Sequence, residues 1–186
     1  RGKPMILSFD YIKTTSESMQ GKSEWQIVGE MVDKFKKLIM RDLVFDDKPS
    51  VTMITSVQSN RTGITNNRRS DNLVEDESIV SLSDRITQFS SHLLSLRQKT
   101  IDEITEEEGF GTHKLTWFKH RHLGEMPMRA KNYVRMPNGD QKKNCINLNI
   151  ENFCVTEVGD MQDLADAQMS ADLNVSNQAD LTDIGL

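Results

Sequence analysis

Apolar residues in the first third of the chain follow a strand pattern, then a helical pattern, then a strand pattern again. Met5–Asp10 is a short, mostly apolar run without helical period, which predicts a buried strand with a carboxylate at its C-terminal tip. Between residues 24 and 40, apolar side chains recur every three or four positions, which predicts an amphipathic helix. The β-branched run 51–57 predicts a second strand. A unit of this kind predicts two parallel strands joined by a right-handed crossover.

Polar residues follow both of these predicted strands. Asp10 would stand at the carboxyl edge of the sheet, where open α/β proteins bind ligands. An acid at this edge is typical of a Walker B carboxylate, which holds the Mg²⁺ of a nucleotide; an ordinary loop acid is the alternative. Gln58 follows the second strand, and its amide both donates and accepts hydrogen bonds, which suits sensing of a γ-phosphate or a water.

The segment Gly21-Lys22-Ser23 matches the end of a phosphate-binding P-loop. The full motif requires glycine five positions before Gly21, where this chain has Ser16, and a P-loop leaves its strand directly. Ser23 and Gln26 instead fit the N-cap and N3 positions of a capping box. The sequence therefore predicts the start of a helix here, and not a P-loop.

The rest of the chain mixes short helices and strands. The loop 61–77 is long and polar, and its arginines either contact phosphates or are solvated. The further elements expected are a helix over 84–90, strands over 91–97 and 113–119, and closing β structure over 132–136 and 144–158 with a turn at 137–140. The acidic segment 100–111 is expected to be a solvated loop or a frayed helix.

Two cations stand near the end of the predicted strand 113–119. Lys119 and Arg121 are two positions apart on an extended segment, so they point to the same side and suit a phosphate or the acidic face of a neighbour. A solvated basic edge is the alternative. His120 and His122 flank Arg121, but the sequence offers no further ligands for a metal site.

Composition limits the class of protein. Mean hydropathy is −0.55, and no apolar run approaches the length of a membrane span. Two cysteines, Cys145 and Cys154, make no disulfide framework, which favours a reducing cytoplasm. Residues 151–186 contain eight acids and no Lys or Arg, which leaves 23 basic and 20 acidic groups in residues 1–150. We therefore expect one domain over 1–159 and an acidic tail over 160–186 that is disordered or folds on a partner.

Four segments, in this order, resemble the motor domain of DnaB-type replicative DNA helicases, especially phage versions. Leu7–Tyr11 resembles the Walker B strand of that family, and Ser56–Arg61 resembles its Ser-Gln-Leu-Asn-Arg segment. Ile86–Gln88 resembles the Ile-Glu-Gln segment beside the DNA-binding loop of the central channel. Lys119–Gly124 is similar to the Lys-x-Arg-x-Gly segment, with one extra residue before the glycine.

The resemblance implies a fold. That fold is an α/β, RecA-like P-loop NTPase core, in which a mostly parallel sheet is flanked by helices. The chain would enter this core after the Walker A strand and would end in a β-hairpin region and an acidic tail. Since the family's P-loop and catalytic Glu lie upstream of the Walker B strand, the isolated chain is expected to be inactive in hydrolysis.

The resemblance also implies roles for individual residues, with ATP and Mg²⁺ as cofactors. Asp10 would be the metal ligand, and Gln58 would couple the state of the γ-phosphate to the channel loop. Lys119 and Arg121 would reach the ATP of the neighbouring subunit, and Tyr11 would lie at the nucleotide. The DNA-binding residues would be Arg61, Arg68, Arg69, Arg85 and Gln88.

The implied partners are single-stranded DNA, further copies of the chain in a hexameric ring, and a primase or helicase loader. The implied location is the cytoplasm of a bacterial or phage-infected cell. Two other functions fit the same residues. One is a recombinase-type RecA-fold ATPase, and the other is a non-catalytic module that binds nucleic acid or a replisome partner through its basic edge and acidic tail.

Overall fold

The computed structural model describes residues 3–13, 21–57, 84–121 and 133–183. They belong to two compact units, one made of residues 1–68 and 72–93 and the other of residues 69–71 and 94–186. Each unit is described by itself below.

The first unit is a strand–helix–strand arrangement followed by a short helix. Its elements are β1 (Met5–Phe9), α1 (Glu24–Lys37) with a π-helical turn at Leu38–Asp42, the small hairpin of β2 (Val44–Phe45) and β3 (Lys48–Pro49), β4 (Val51–Thr55) and α2 (Asp84–Phe89). Strands β1 and β4 pair in parallel, from Met5 opposite Val51 to Phe9 opposite Thr55. The predicted parallel pairing of the first two long strands is therefore confirmed.

Helix α1 covers one face of this strand pair. Val28 is completely buried and forms a small core with Ile12 and Ile86, joined by partly buried apolar neighbours. On the other face Ile6 is 71% exposed. The parallel pair is thus covered by helix on one side, whereas parallel sheets generally bury both.

The start of α1 confirms the capping box. The Ser23 backbone N–H donates to Gln26 Oε1 at 3.0 Å, and Gly21 adopts a positive φ of 74° just before it. Gly21–Ser23 is therefore a helix entry, as the sequence predicts, because Ser23 begins α1 as its N-cap.

The second unit contains the larger sheet. Its elements are β5 (His92–Gln98, which begins at the division between the units), α3 (Ile101–Glu106), β6 (His113–His120), β7 (Tyr133–Arg135), β8 (Gln141–Lys143), β9 (Ile146–Glu151), β10 (Cys154–Asp160) and α4 (Met161–Asp183). The main sheet has the strand order β10-β9-β6-β5, and β9 runs antiparallel to both β10 and β6. Strands β7 and β8 form a separate antiparallel hairpin around the predicted turn at 137–140.

The expectation of a RecA-like, mostly parallel sheet is wrong. The largest sheet is four-stranded and antiparallel, and the only parallel pairing within the described ranges is β1 with β4. The physical reason is visible at β9 and β10, which are joined by the two-residue turn Asn152-Phe153 with φ of 50° and 62°. A connection this short permits only antiparallel pairing, because a parallel crossover needs a dozen or more residues.

The start of α4 also differs from expectation. Asp160 Oδ1 accepts hydrogen bonds from the backbone N–H groups of Gln162 and Asp163, and Asp163 Oδ2 accepts one from the Asp160 N–H. The next residues enter the core of the unit, which consists of Val134, Met136, Cys145, Met161, Leu164 and Ala165. The sequence predicted a tail from residue 160 that is disordered or folds on a partner, but the first turn of α4 is capped and packs into the core of its own unit.

Gly111 is needed at the turn that leads into β6. Its φ is +70°, and a Cβ atom there would lie 2.5 Å from the backbone oxygen of Leu148. Any other residue would have to move the backbone of β9.

Within the described residues, no helix is both long and apolar enough to cross a membrane.

Candidate functional site

The carboxyl edge of the β1–β4 pair joins two segments that the sequence assigns to nucleotide chemistry. Phe9 and Thr55 are register partners at the ends of the strands, and Thr55 Oγ1 donates a hydrogen bond of 2.8 Å to the Phe9 oxygen. Beyond the strands, the Ile12 N–H donates to the Ser56 oxygen at 2.9 Å. Asp10 therefore leaves the sheet at the same edge as the chain that continues from β4.

The two predicted nucleotide residues at the end of β1 are open to solvent. Asp10 is exposed and Tyr11 is 41% exposed, whereas the next residue, Ile12, is buried. A single accessible carboxylate suits Mg²⁺, which usually keeps several waters and takes further ligands from substrate phosphates. Across the described ranges, no three His, Cys, Asp or Glu side chains lie together as a metal cage.

Four of the predicted site residues cannot be placed. Gln58, Arg61, Arg68 and Arg69 lie outside the described residues. The γ-phosphate role of Gln58 and the DNA role of the three arginines stay predictions.

Lys119 and Arg121 are found at the end of β6 in the second unit. Lys119 is part of the strand and half-buried, and Arg121 follows directly after the strand and is exposed. The predicted strand-end position of this pair is therefore correct, but the sheet that carries it is antiparallel. Their role in phosphate binding stays a prediction.

Arg85 and Gln88 line a surface groove between α1 and α2 in the first unit, which we call the α1–α2 groove. Its volume is about 450 Å³. The lining residues are Lys22, Trp25, Gln26, Gly29, Glu30, Arg85 and Gln88. Two residues that the resemblance assigns to DNA binding thus share a concave surface with a tryptophan and a second cation.

Trp25 is a groove residue that the sequence did not mark as functional, and Lys22 figured there only in the rejected P-loop match. Trp25 fits the apolar period of α1 and was expected on the buried face, but it is 60% exposed. The apolar period gave no sign of this exposure, because it does not show which apolar side chains a neighbour covers.

Ion pairs fix the two cations of the α1–α2 groove. Lys22 Nζ donates to Glu30 Oε1 at 2.6 Å, and the side chains of this pair are about half exposed. Arg85 forms an ion pair with Asp33 of α1, also partly exposed. The hydrogen bond and charge of Lys22 lower the pKa of Glu30. Both cations are held at the groove by acids on the same helix, so the local charge is close to balanced.

A second group of charges is buried in the other unit. The Arg97 guanidinium donates two hydrogen bonds of 2.7 Å to the Glu103 carboxylate. Lys114 Nζ lies 2.8 Å from both Glu103 and Glu107, and Lys99 Nζ lies 2.9 Å from Glu107. These five residues form what we call the buried charge cluster. It has three cations and two anions, and all five side chains are at most 12% exposed.

The buried charge cluster corrects the expectation for the acidic segment 100–111. Thr100 and Glu103 form a capping box that begins α3, and Glu103 and Glu107 face inward. Burial by itself would raise the pKa of Glu103, but hydrogen bonds from Arg97 and the charge of Lys114 outweigh it and hold that pKa well below its ordinary value. Burial would likewise raise the pKa of Glu107, which the Lys114 charge lowers. Both carboxylates are therefore structural anions.

No family model, no curated protein and no solved structure matches the chain. Its function must therefore be inferred from the residues and contacts described above. Those contacts separate a surface group, made of the β1–β4 edge and the α1–α2 groove, from a buried group that holds the second unit together.

Proposed function

We propose that the chain forms part of an ATP-driven motor that moves along single-stranded DNA, with nucleotide sites between the subunits of a hexameric ring. The observation that carries the proposal is the carboxyl edge of the parallel β1–β4 pair. Asp10 leaves this edge beside the chain that continues to Gln58. An acid at a strand end is what Mg²⁺ binding requires, and in the sequence Gln58 follows the neighbouring strand, where an amide can sense a γ-phosphate.

Each residue has a distinct role in this proposal. Asp10 would hold the Mg²⁺ of ATP through water, and the metal supplies charge neutralisation of the phosphates. Gln58 would report whether a γ-phosphate is present, because its amide both donates and accepts hydrogen bonds. Lys119 and Arg121 would stabilise phosphate charge on the ATP of the next subunit, a contribution of about 10³- to 10⁵-fold in rate for an arginine supplied in this way.

Complementation between two inactive variants tests the sites between subunits. Asp10→Asn would disable the metal side of a site, and Arg121→Ala would disable the side contributed by the neighbour. Each variant of the complete gene product should lose DNA-stimulated ATP hydrolysis while still assembling. A mixture of the two should recover part of the activity, since some interfaces then combine an intact Asp10 with an intact Arg121.

The proposal fails if the mixture is as inactive as each variant alone while native mass spectrometry shows rings that contain both variants. It also fails if Arg121→Ala weakens ATP binding as much as it slows hydrolysis, because Arg121 would then be part of the fold or of ground-state binding. His113→Ala, at the other end of the same strand, is the control and should keep hydrolysis.

A second candidate function is a nucleic-acid-binding module without hydrolysis. The antiparallel sheet of the second unit favours it, because that sheet provides no further parallel strand ends of the kind that build a nucleotide site. Two measurements distinguish the two functions. A binding module would retain its affinity for single-stranded DNA in Asp10→Asn and would show no ATP hydrolysis in the unmodified gene product.

The location and further partners follow from the proposed motor role. A motor on single-stranded DNA would work in the cytoplasm of a bacterial or phage-infected cell, where that DNA is exposed during replication. A primase or a helicase loader would be its natural partner. Co-purification of such a partner with the tagged gene product is the corresponding test.

A further inference from the structure

We propose that the α1–α2 groove binds an unpaired base of single-stranded DNA, with Trp25 as the surface on which the base stacks. The inference rests on the proposed function and extends it. It assigns DNA binding to Trp25 and Lys22, which lie outside the four motif segments. The chemistry that identifies the ligand is an exposed indole ring with cations and amides around it.

The exposure of Trp25 is the first observation. The indole is 60% exposed, although Val28 on the same helix is fully buried. Gly29, one turn further along α1, also lines the groove but is itself buried. The exposed indole therefore offers the face on which a flat ring can stack.

The size of the groove is the second observation. A volume of about 450 Å³ lies within the range of about 300–1,000 Å³ that small-ligand sites occupy. It admits one base with its sugar. Gln88 stands on the α2 side of the groove and can hydrogen-bond the edge of a base without selecting one base over another.

The charges of the groove are the third observation. Lys22 and Arg85 line the same groove as Trp25 and would contact the backbone phosphates on either side of a stacked base. Each is paired with an acid of α1, and these pairs are partly exposed, so a phosphate can compete for the cation at little cost. Because the local charge is nearly balanced, stacking supplies most of the affinity. Binding should therefore depend only weakly on salt.

Fluorescence measures the stacking directly. The chain has two tryptophans, so Trp117→Phe leaves Trp25 as the sole indole. Titration of this variant of the full 186-residue chain with a short oligothymidylate should quench its fluorescence. In the unmodified chain, Trp25→Ala should weaken binding of the same oligonucleotide about 5- to 150-fold, the range expected for loss of one base–aromatic stack. Trp25→Phe, which keeps an aromatic ring, should weaken binding much less.

Matched controls separate stacking from charge and from folding. Lys22→Gln should reduce the slope of log affinity against log salt by about 0.7, the value for one phosphate contact on a single strand. Lys37→Gln, an exposed cation at the far end of α1, should leave that slope unchanged. Since Trp25 is at the surface, the thermal unfolding of Trp25→Ala should match that of the unmodified chain.

Three results would overturn the inference. They are unchanged affinity in Trp25→Ala, equal binding of an abasic oligonucleotide, and equal quenching by free thymidine monophosphate at matched nucleotide concentration. None of them bears on hydrolysis, which the complementation of Asp10→Asn with Arg121→Ala tests separately. If the oligonucleotide quenches Trp25 but complementation fails, the base-binding site is supported and the motor function is rejected.

Discussion

The two units use the same kinds of charged residues in opposite settings. In the first unit, Lys22 and Arg85 pair with acids of α1 at a surface groove, and the pairs are partly exposed. In the second unit, Lys99 and Lys114 pair with carboxylates that are almost completely buried. An exposed ion pair contributes little to stability, whereas breaking a buried one leaves an uncompensated charge in the interior.

This difference teaches which cations can exchange an ion-pair partner for a ligand. A groove cation can exchange its acid for a phosphate, because water and salt already weaken the pair. A cation of the buried charge cluster cannot, since any exchange would require opening the core of the second unit. Three predictions test this distinction and one tests the contact of Gly111 with β9; they run from the largest expected effect to the smallest.

Glu107→Ala should have the largest effect on stability. It would leave Lys99 and Lys114 facing each other without their shared anion, and removing one partner of a buried ion pair costs about 3–5 kcal/mol. Urea unfolding followed by circular dichroism measures the loss. Glu108→Ala changes the next, exposed residue and should stay within about 0.5 kcal/mol of the unmodified chain. Equal effects of the two variants would mean that the cluster does not hold the second unit together.

Gly111→Ala should destabilise the second unit more than Gly109→Ala. Both glycines have a positive φ, which costs an L-residue about 1–2 kcal/mol. Only at Gly111 would the new Cβ meet the Leu148 backbone, at 2.5 Å, which adds overpacking strain and brings the total to roughly 3 kcal/mol. The difference between their unfolding free energies isolates this contact. If the two variants are equally stable, β9 does not approach Gly111 as closely as described.

Stability should fall in acid because of the buried charge cluster. The pKa of Glu103 and that of Glu107 are lowered on folding from an ordinary value of about 4.5. Their contribution is therefore complete above about pH 4.5 and is lost as the pH falls towards the lower pKa of the folded state. The raised pKa of Lys114 acts in the opposite range, since its contribution persists below 10.5 and is lost in stronger alkali.

Unfolding midpoints measured from pH 7 down to pH 3 test this prediction. Glu103→Gln should be less stable at pH 7 and should show a smaller loss on acidification. If Glu103→Gln loses as much stability on acidification as the unmodified chain, other carboxylates cause that loss.

Glu30→Gln should have the smallest effect on folding. Glu30 and Lys22 are about half exposed, so the melting temperature should be unchanged. Binding of oligothymidylate should become slightly tighter, because Lys22 no longer has a competing acid. Weaker binding in this variant would mean that Lys22 needs Glu30 to keep its position.

The elements that the sequence predicted well are those decided by neighbours along the chain. The strand Met5–Phe9, the helix begun by Ser23 and Gln26, and the turn at 137–140 depend on local periodicity, capping and turn chemistry. The parallel pairing of β1 and β4 followed because a strand–helix–strand unit has few other arrangements.

The predictions that were wrong concern features that depend on contacts between residues on different elements. Glu107 belongs to an acidic run that is typical of a solvated loop, and only the folded chain brings Lys114 to it. Trp25 fits a helical period, which counts apolar residues but does not show which of them a neighbour covers. The sheet of the second unit was misassigned because short motifs resembling a known family carry no information on the direction in which later strands pair.

Hydrogen–deuterium exchange with and without oligothymidylate tests the central claim most directly, because it reads both units in one measurement. The account predicts slower exchange in residues 22–30 and 84–89, around the α1–α2 groove, and no change in residues 97–114, which contain the buried charge cluster. Protection confined to residues 97–114, with none around Trp25, would contradict it.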